Sequence, residues 1–203
     1  MVPPVIVVVA ALKGGVGKTT SSVYLAAVAA GSRRAVTIVD ADPQASAAEW
    51  LEGSDDERLQ KIDIVEAPTD RLLLKALDRV GDDDLAVVDT PPGHERLLGK
   101  AMERASAVLV PTRVGGVETP RTSAVVDLVP DGLPVGLVIA SARTYTRDYQ
   151  DALVIWAEAG VPVWGSVPER VAIAAGPAAM LSAEGVESYR NIWRRLQRAV
   201  RTT

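Results

Sequence analysis

Residues 13–20 read Lys-Gly-Gly-Val-Gly-Lys-Thr-Thr and follow directly on the apolar run Val5–Leu12. A buried strand that runs into a glycine-rich turn and then a helix leaves a chain few folds to choose from. Gly14, Gly15 and Gly17 give the backbone access to turn conformations closed to other residues, so N–H groups converge on an anion. Lys18 adds a point charge for the β and γ phosphates, and Thr19 a hydroxyl for Mg²⁺. The helix expected over 19–30 then presents its N-terminus to the same anion. The pattern departs from G-x-x-x-x-G-K-[ST] in two ways: the place of the first glycine is taken by Leu12, and a second lysine, Lys13, stands beside it.

Apolar runs alternate with helical segments along the rest of the chain. Strands are expected over 5–10, 35–39, 62–66, 85–88, 107–110, 135–140 and 163–166. Helices are expected over 19–30, 45–51, 70–80, 95–104, 119–129, 149–159 and 187–200. The strand runs are continuously apolar, as parallel strands covered on both faces require. This alternation implies an α/β fold, a doubly wound, mainly parallel sheet with helices on both faces, in one domain over 1–203. Segments 53–56 and 81–84 read as surface turns. In such a sheet ligands bind beyond the carboxyl ends of the strands, which makes strand-end residues the ones to inspect.

Two of those ends carry aspartates. The second strand ends in Asp40-Ala-Asp42-Pro-Gln44 and the fourth in Asp89-Thr-Pro-Pro92. An apolar strand ending in Asp beside a phosphate loop is suited to holding Mg²⁺, usually through water. Asp40 and Asp42 are two apart, so an extended backbone would point both to one side. A lone strand-end Asp is more often a helix cap. Two such strands with the glycine loop, in this order, point to an ATP or GTP site.

Composition narrows the chemistry. Of 203 residues none is cysteine and one, His94, is histidine, so disulfides, thiolate or histidine metal clusters and a cysteine nucleophile are excluded. His94 reads as an exposed loop residue. No segment has the charge and length pattern of a signal peptide or a membrane span, and a cytoplasmic protein is expected. The net charge of −4 argues against wholesale electrostatic binding of nucleic acid, although Arg190, Arg194, Arg195, Arg198 and Arg201 make the C-terminal segment basic.

Lys13–Thr20, Val39-Asp-Ala-Asp-Pro-Gln44 and Val88-Asp-Thr-Pro-Pro92 together resemble the ParA family of deviant Walker ATPases, P-loop proteins that segregate plasmids and chromosomes. The resemblance runs over nearly the whole chain and is strongest to the small ParF-type members. It implies ATP and Mg²⁺ as cofactors and slow, partner-stimulated hydrolysis. It implies an ATP-dependent homodimer, with higher assemblies open, and a centromere-binding partner of ParB or ParG type. Contact with non-specific DNA, and so with the nucleoid, follows too. In this resemblance Gly14, Gly15, Val16, Gly17, Lys18, Thr19 and Thr20 bind nucleotide, Thr20 at the α-phosphate. Lys13 reaches across the dimer to the partner's ATP. Asp42 orients the attacking water, and Thr19, Asp40, Asp42 and Asp89 surround the metal. Arg143 and Pro168 fall at the base, with guanine left open beside adenine.

Alternatives of other classes remain at this stage: a MinD-like positioning ATPase acting on membrane or protein cargo, or a metabolic enzyme of the same P-loop group. The stripe Tyr189, Ile192, Trp193, Leu196 and Val200 fits a helix packed on the sheet, a DNA-facing helix, or one lying at a membrane interface. Arg143, Arg147 and Arg170 are further candidate DNA contacts.

Overall fold

All seven expected strands form: β1 (Val5–Val9), β2 (Val36–Asp40), β3 (Ile62–Glu66), β4 (Leu85–Asp89), β5 (Ala107–Thr112), β6 (Val135–Ala142) and β7 (Val163–Pro168). The computed structural model describes residues 3–31, 34–176 and 180–202. Between the strands lie α1 (Lys18–Ala29), α2 (Ser46–Glu52), α3 (Asp70–Leu77), α4 (Glu95–Met102), α5 (Glu118–Val126), α6 (Arg147–Glu158), α7 (Val171–Ala174) and α8 (Ala183–Thr202). A single 3₁₀ turn, Leu59–Lys61, and the short α7 carry too little periodic sequence to be anticipated.

The strands form one sheet, in the order β3-β2-β4-β1-β5-β6-β7 and parallel throughout. All carboxyl ends therefore share one edge. The chain fills one side of β1 with β2, β3 and β4 before β5, β6 and β7 fill the other, so the order reverses beside β1. That reversal opens a crevice at the carboxyl end of β1, where the glycine turn lies.

Alternation along β1 feeds two cores. Val7 and Val9 join residues of α1, α2 and α8 on one face, while Ile6, Val8 and Ala10 join residues of α3, α4, α5 and α6 on the other. Covering both faces is what made the strand runs continuously apolar. The α8 stripe belongs to the first core: Tyr189, Ile192, Trp193 and Leu196 are buried, while Arg190, Arg194, Arg195, Arg198 and Arg201 are exposed. The stripe packs on the sheet, as the first of the three readings expected, and the arginines opposite it stay exposed, which is compatible with a DNA-facing side. The helix also begins earlier than expected, because Gly185 lies inside it. A Cβ there would come 2.5 Å from Tyr24, so the glycine serves close approach of α8 to α1 rather than a turn.

Segment 53–56 differs from the surface turn expected. Asp56 is only 1% exposed; its carboxylate accepts from both Arg58 Nε and Nη2 and from the Leu181 amide at 3.0 Å. Arg58 Nη2 in turn donates to the Leu181 carbonyl at 2.9 Å, so the pair grips the N–H and the C=O of one distant residue. The bonds from Arg58 hold the Asp56 carboxyl down at about 2, against an ordinary 3.8. A carboxyl depressed in the folded chain contributes stability that is full above its unfolded pKa and lost as pH falls through the folded one. With Arg58 partly exposed, that contribution is on the order of 1–2 kcal/mol. Asp56→Asn is therefore expected to lower the urea-unfolding free energy by about 1–2 kcal/mol near neutrality. The gap should close between about pH 4 and pH 2; a gap that is constant over that range contradicts the clamp.

Candidate functional site

The turn after β1 does what its glycines permit. Gly15 (φ +74°) and Gly17 (φ +98°) are left-handed, and Gly17 is the residue on which α1 starts. No side chain caps that helix and no acidic residue lies in its first turn, so its free N–H groups and dipole are left for an anion. They open on a cavity of about 350 Å³ lined by residues 14–20 at one end and by Ser141, Pro168 and Arg170 at the other. Lys18 lies in it, 7% exposed, with Nζ donating to the Lys13 carbonyl at 3.2 Å. Burial lowers the pKa of Lys18, against the pull of Asp89 and Asp42. An ammonium that has lost solvent and found only one carbonyl is well disposed toward phosphate oxygens.

Asp89, at the end of β4, is 1% exposed and accepts from Thr19 Oγ1 at 2.8 Å and Ser22 Oγ at 2.9 Å. Burial raises its pKa to about 6, with the two hydroxyls working against that rise. The Thr19 hydroxyl and this carboxylate put two hard oxygens beside the free amides of α1, donors of the type that suit Mg²⁺.

The two acidic residues after β2 separate. Strand β2 ends at Asp40 and the chain turns, so the alternation that would have aligned them does not extend to Asp42. Asp40 is fully buried and its oxygens accept from three backbone amides, of Asp42 (3.1 Å), Ala47 (2.9 Å) and Ala48 (3.0 Å). It thereby holds the first turn of α2, and like its register partner Asp89 it is buried behind the residues that line the cavity. Asp42 does line the cavity, oriented by the Gln44 amide donating to its Oδ1 at 2.9 Å.

The region from residue 7 to residue 182 matches the family model described as the CobQ/CobB/MinD/ParA nucleotide binding domain. The chain belongs to that family. Among curated relatives it is 42% identical over 110 residues to "Maintenance of carboxysome distribution protein A" of Gloeobacter kilaueensis, covering 54% of this chain and 49% of that protein. It is 31% identical over 109 residues to "Protein ParA" of Rhizobium radiobacter, covering 53% and 48% respectively. The chain thus spans about half the length of the curated relatives it matches. The fold agrees with that of a crystal structure described as a putative plasmid partition protein from Borrelia burgdorferi B31 bound to AMPPNP. There the TM-score is 0.78 at 20% identity, over 97% of this chain and 99% of the other. The fold is the P-loop one of the ParA/MinD family.

Within this family domain, some expected residues lie elsewhere. Arg143 is exposed, paired with Glu169 and absent from the cavity lining. Pro168 does line the cavity, and Arg170 takes the place expected of Arg143. The cause is local: the β6–β7 register breaks between Ile139 and Ala142, and Ser141, at φ +51°, turns to the cavity instead. Arg113 and Tyr189 also line the cavity and were not anticipated. Arg113 follows the end of β5, so the strand-end rule could have found it. Tyr189 comes from α8, and nothing local marks it. Its hydroxyl bonds Ser21 of α1 at 2.8 Å and its ring stacks on Tyr24 with centroids 5.3 Å apart. His94 is exposed at the start of α4. Lys13 points to the start of α5, where its Nζ is paired with Glu118.

The three bonds to Asp40 predict that Asp40→Ala destabilises the nucleotide-free chain by about 2 kcal/mol, through lost capping and orphaned amides. Urea denaturation without nucleotide or metal is the check. An unchanged midpoint would refute the capping role.

Proposed function

We propose that this chain is an ATP-driven switch: it binds ATP, dimerises around it, acts on a cargo while dimeric and releases it on hydrolysis. One observation carries this reading. The nucleotide cradle has a second lysine, Lys13, on its rim, as an element that serves a neighbouring site requires. In this reading residues 14–20 hold the phosphates, with Thr20 at the α-phosphate and Lys18 at the β and γ. Thr19 and Asp89 hold Mg²⁺, which when bound neutralises phosphate charge. Asp42, on the cavity wall, positions the attacking water, and Lys13 offers a cation to the partner's phosphates. Ser141, Pro168 and Arg170 form the base end. Nothing among these groups is a strong base, so turnover rests on positioning and charge and is slow. The cargo is plasmid DNA, engaged through a centromere-binding adaptor, as the resemblance to plasmid partition proteins supports. Exposed arginines of α8 supply local contact with the polyanion at the nucleoid.

A second reading has its own support. The 42% identity to a carboxysome distribution protein favours a switch of the same kind that spaces a protein cargo. A membrane cargo has less behind it. The apolar stripe of α8 is consumed in the core, and no described helix is long and apolar enough to cross a membrane.

ATP hydrolysis measured alone, with plasmid DNA and with the product of an adjacent gene tests the proposal, with vesicles containing anionic lipid as a fourth arm. Stimulation by DNA and by a centromere-binding product supports partition; stimulation by a product that binds no DNA supports the protein cargo. Stimulation by vesicles alone overturns both. For the dimer itself, Lys13→Ala is expected to bind ATP within about threefold of the parent and to remain monomeric by light scattering. An ATP-dependent dimer of that variant refutes the role given to Lys13.

A further inference from the structure

Both lysines of the phosphate loop have partners within the chain. Lys18 Nζ donates to the main-chain carbonyl of Lys13, and the Lys13 side chain is paired with Glu118, the first residue of α5. Glu118 is well placed to keep that hold. Its side chain is only 13% exposed, Arg121 lies 4.0 Å away one turn on, and its own carbonyl is tied to the Thr122 hydroxyl at 3.0 Å. Thr122 bonds Thr112 of β5 at 2.7 Å, so the main chain that carries Glu118 is tied to the sheet. Five residues earlier, Arg113 lines the nucleotide cavity, and Gly115 (φ +144°) and Gly116 separate it from α5.

From this geometry we propose that Glu118 is a positioning residue that stores Lys13 away from the dimer interface until nucleotide arrives. The inference rests on the dimer reading above. Incoming phosphates compete with the Lys13 carbonyl for Lys18 and draw Arg113 from the other side, while their negative charge disfavours a carboxylate held nearby. The bond on the Lys13 main chain and the pairing of its side chain are then both weakened by one event. Each protomer gives up one ion pair to free its lysine. A pair of this exposure shifts an equilibrium about threefold, and two copies shift a dimerisation constant by roughly tenfold.

Sedimentation in saturating ATP with Mg²⁺, at 50 mM and 500 mM salt, compares the parent chain with Glu118→Gln and Lys13→Ala. Glu118→Gln is expected to dimerise about tenfold more tightly than the parent at low salt and equally at high salt, where the parent's own pair is screened. A merely structural glutamate would not produce that salt dependence. Equal or weaker dimerisation of Glu118→Gln at low salt overturns the storage role, provided its urea midpoint matches the parent's. Should the midpoint fall, Glu118→Asp, which keeps the charge, is the second variant: parental dimerisation by it and tightening by Gln uphold the proposal, and any other pattern overturns it. Failure of this inference is separable from failure of the dimer reading. If Lys13→Ala stays monomeric while Glu118→Gln behaves like the parent, only storage falls. If Lys13→Ala dimerises, the reading beneath it falls too.

Discussion

A carboxylate buried at the end of a central strand sets the terms for the rest of this protein. Asp89 is withdrawn from water and held by hydroxyls one turn apart on α1, from Thr19 and Ser22. An ionisable group in that position is expensive unless its partners are fixed, and fixing them fixes the helix against the strand. Because α1 begins on a left-handed glycine with an uncapped end, pinning it also aims a row of free amides at the crevice beside β1. The same bonds that make the carboxylate tolerable thus orient the anion cradle.

Much of this was legible in the sequence because it is local. The central strands are readable because both their faces are covered, so that no polar residue need interrupt the run. The phosphate loop is readable since glycine is the residue that most readily takes the left-handed angles found at Gly15 and Gly17. Strand ends proved harder. Asp40 and Asp42 look alike on paper, yet the first meets three amides of the next turn and helix while the second opens on the cavity. Arg170 lines the cavity and Arg143 does not, beside a register break that no pattern of residue types announces. The start of α8 was missed where Gly185 reads as a helix breaker and acts as clearance for a tyrosine ring.

Long-range features of the site were not legible at all. Tyr189 is an unremarkable member of an apolar stripe until α8 is laid against α1. Then its ring stacks on Tyr24, which meets Trp50 of α2 edge-on at 6.4 Å. This aromatic row runs from the nucleotide cavity to the helix that Asp40 caps, next to Asp42. The Asp56–Arg58 clamp on Leu181 holds the segment just before α8, so it bears on the same row from outside. Packing and site share these residues, and a change made for stability in this region is also a change to the cavity wall.

The wall supplied by Tyr189 also orders events in time. It lies 168 residues beyond its hydrogen-bond partner Ser21 in the chain. A ribosome therefore releases the phosphate loop long before the element that closes the cavity behind it. During that interval the growing chain carries an anion-seeking turn without a finished nucleoside wall. That part of the cavity wall is therefore in place only once α8 has docked on α1.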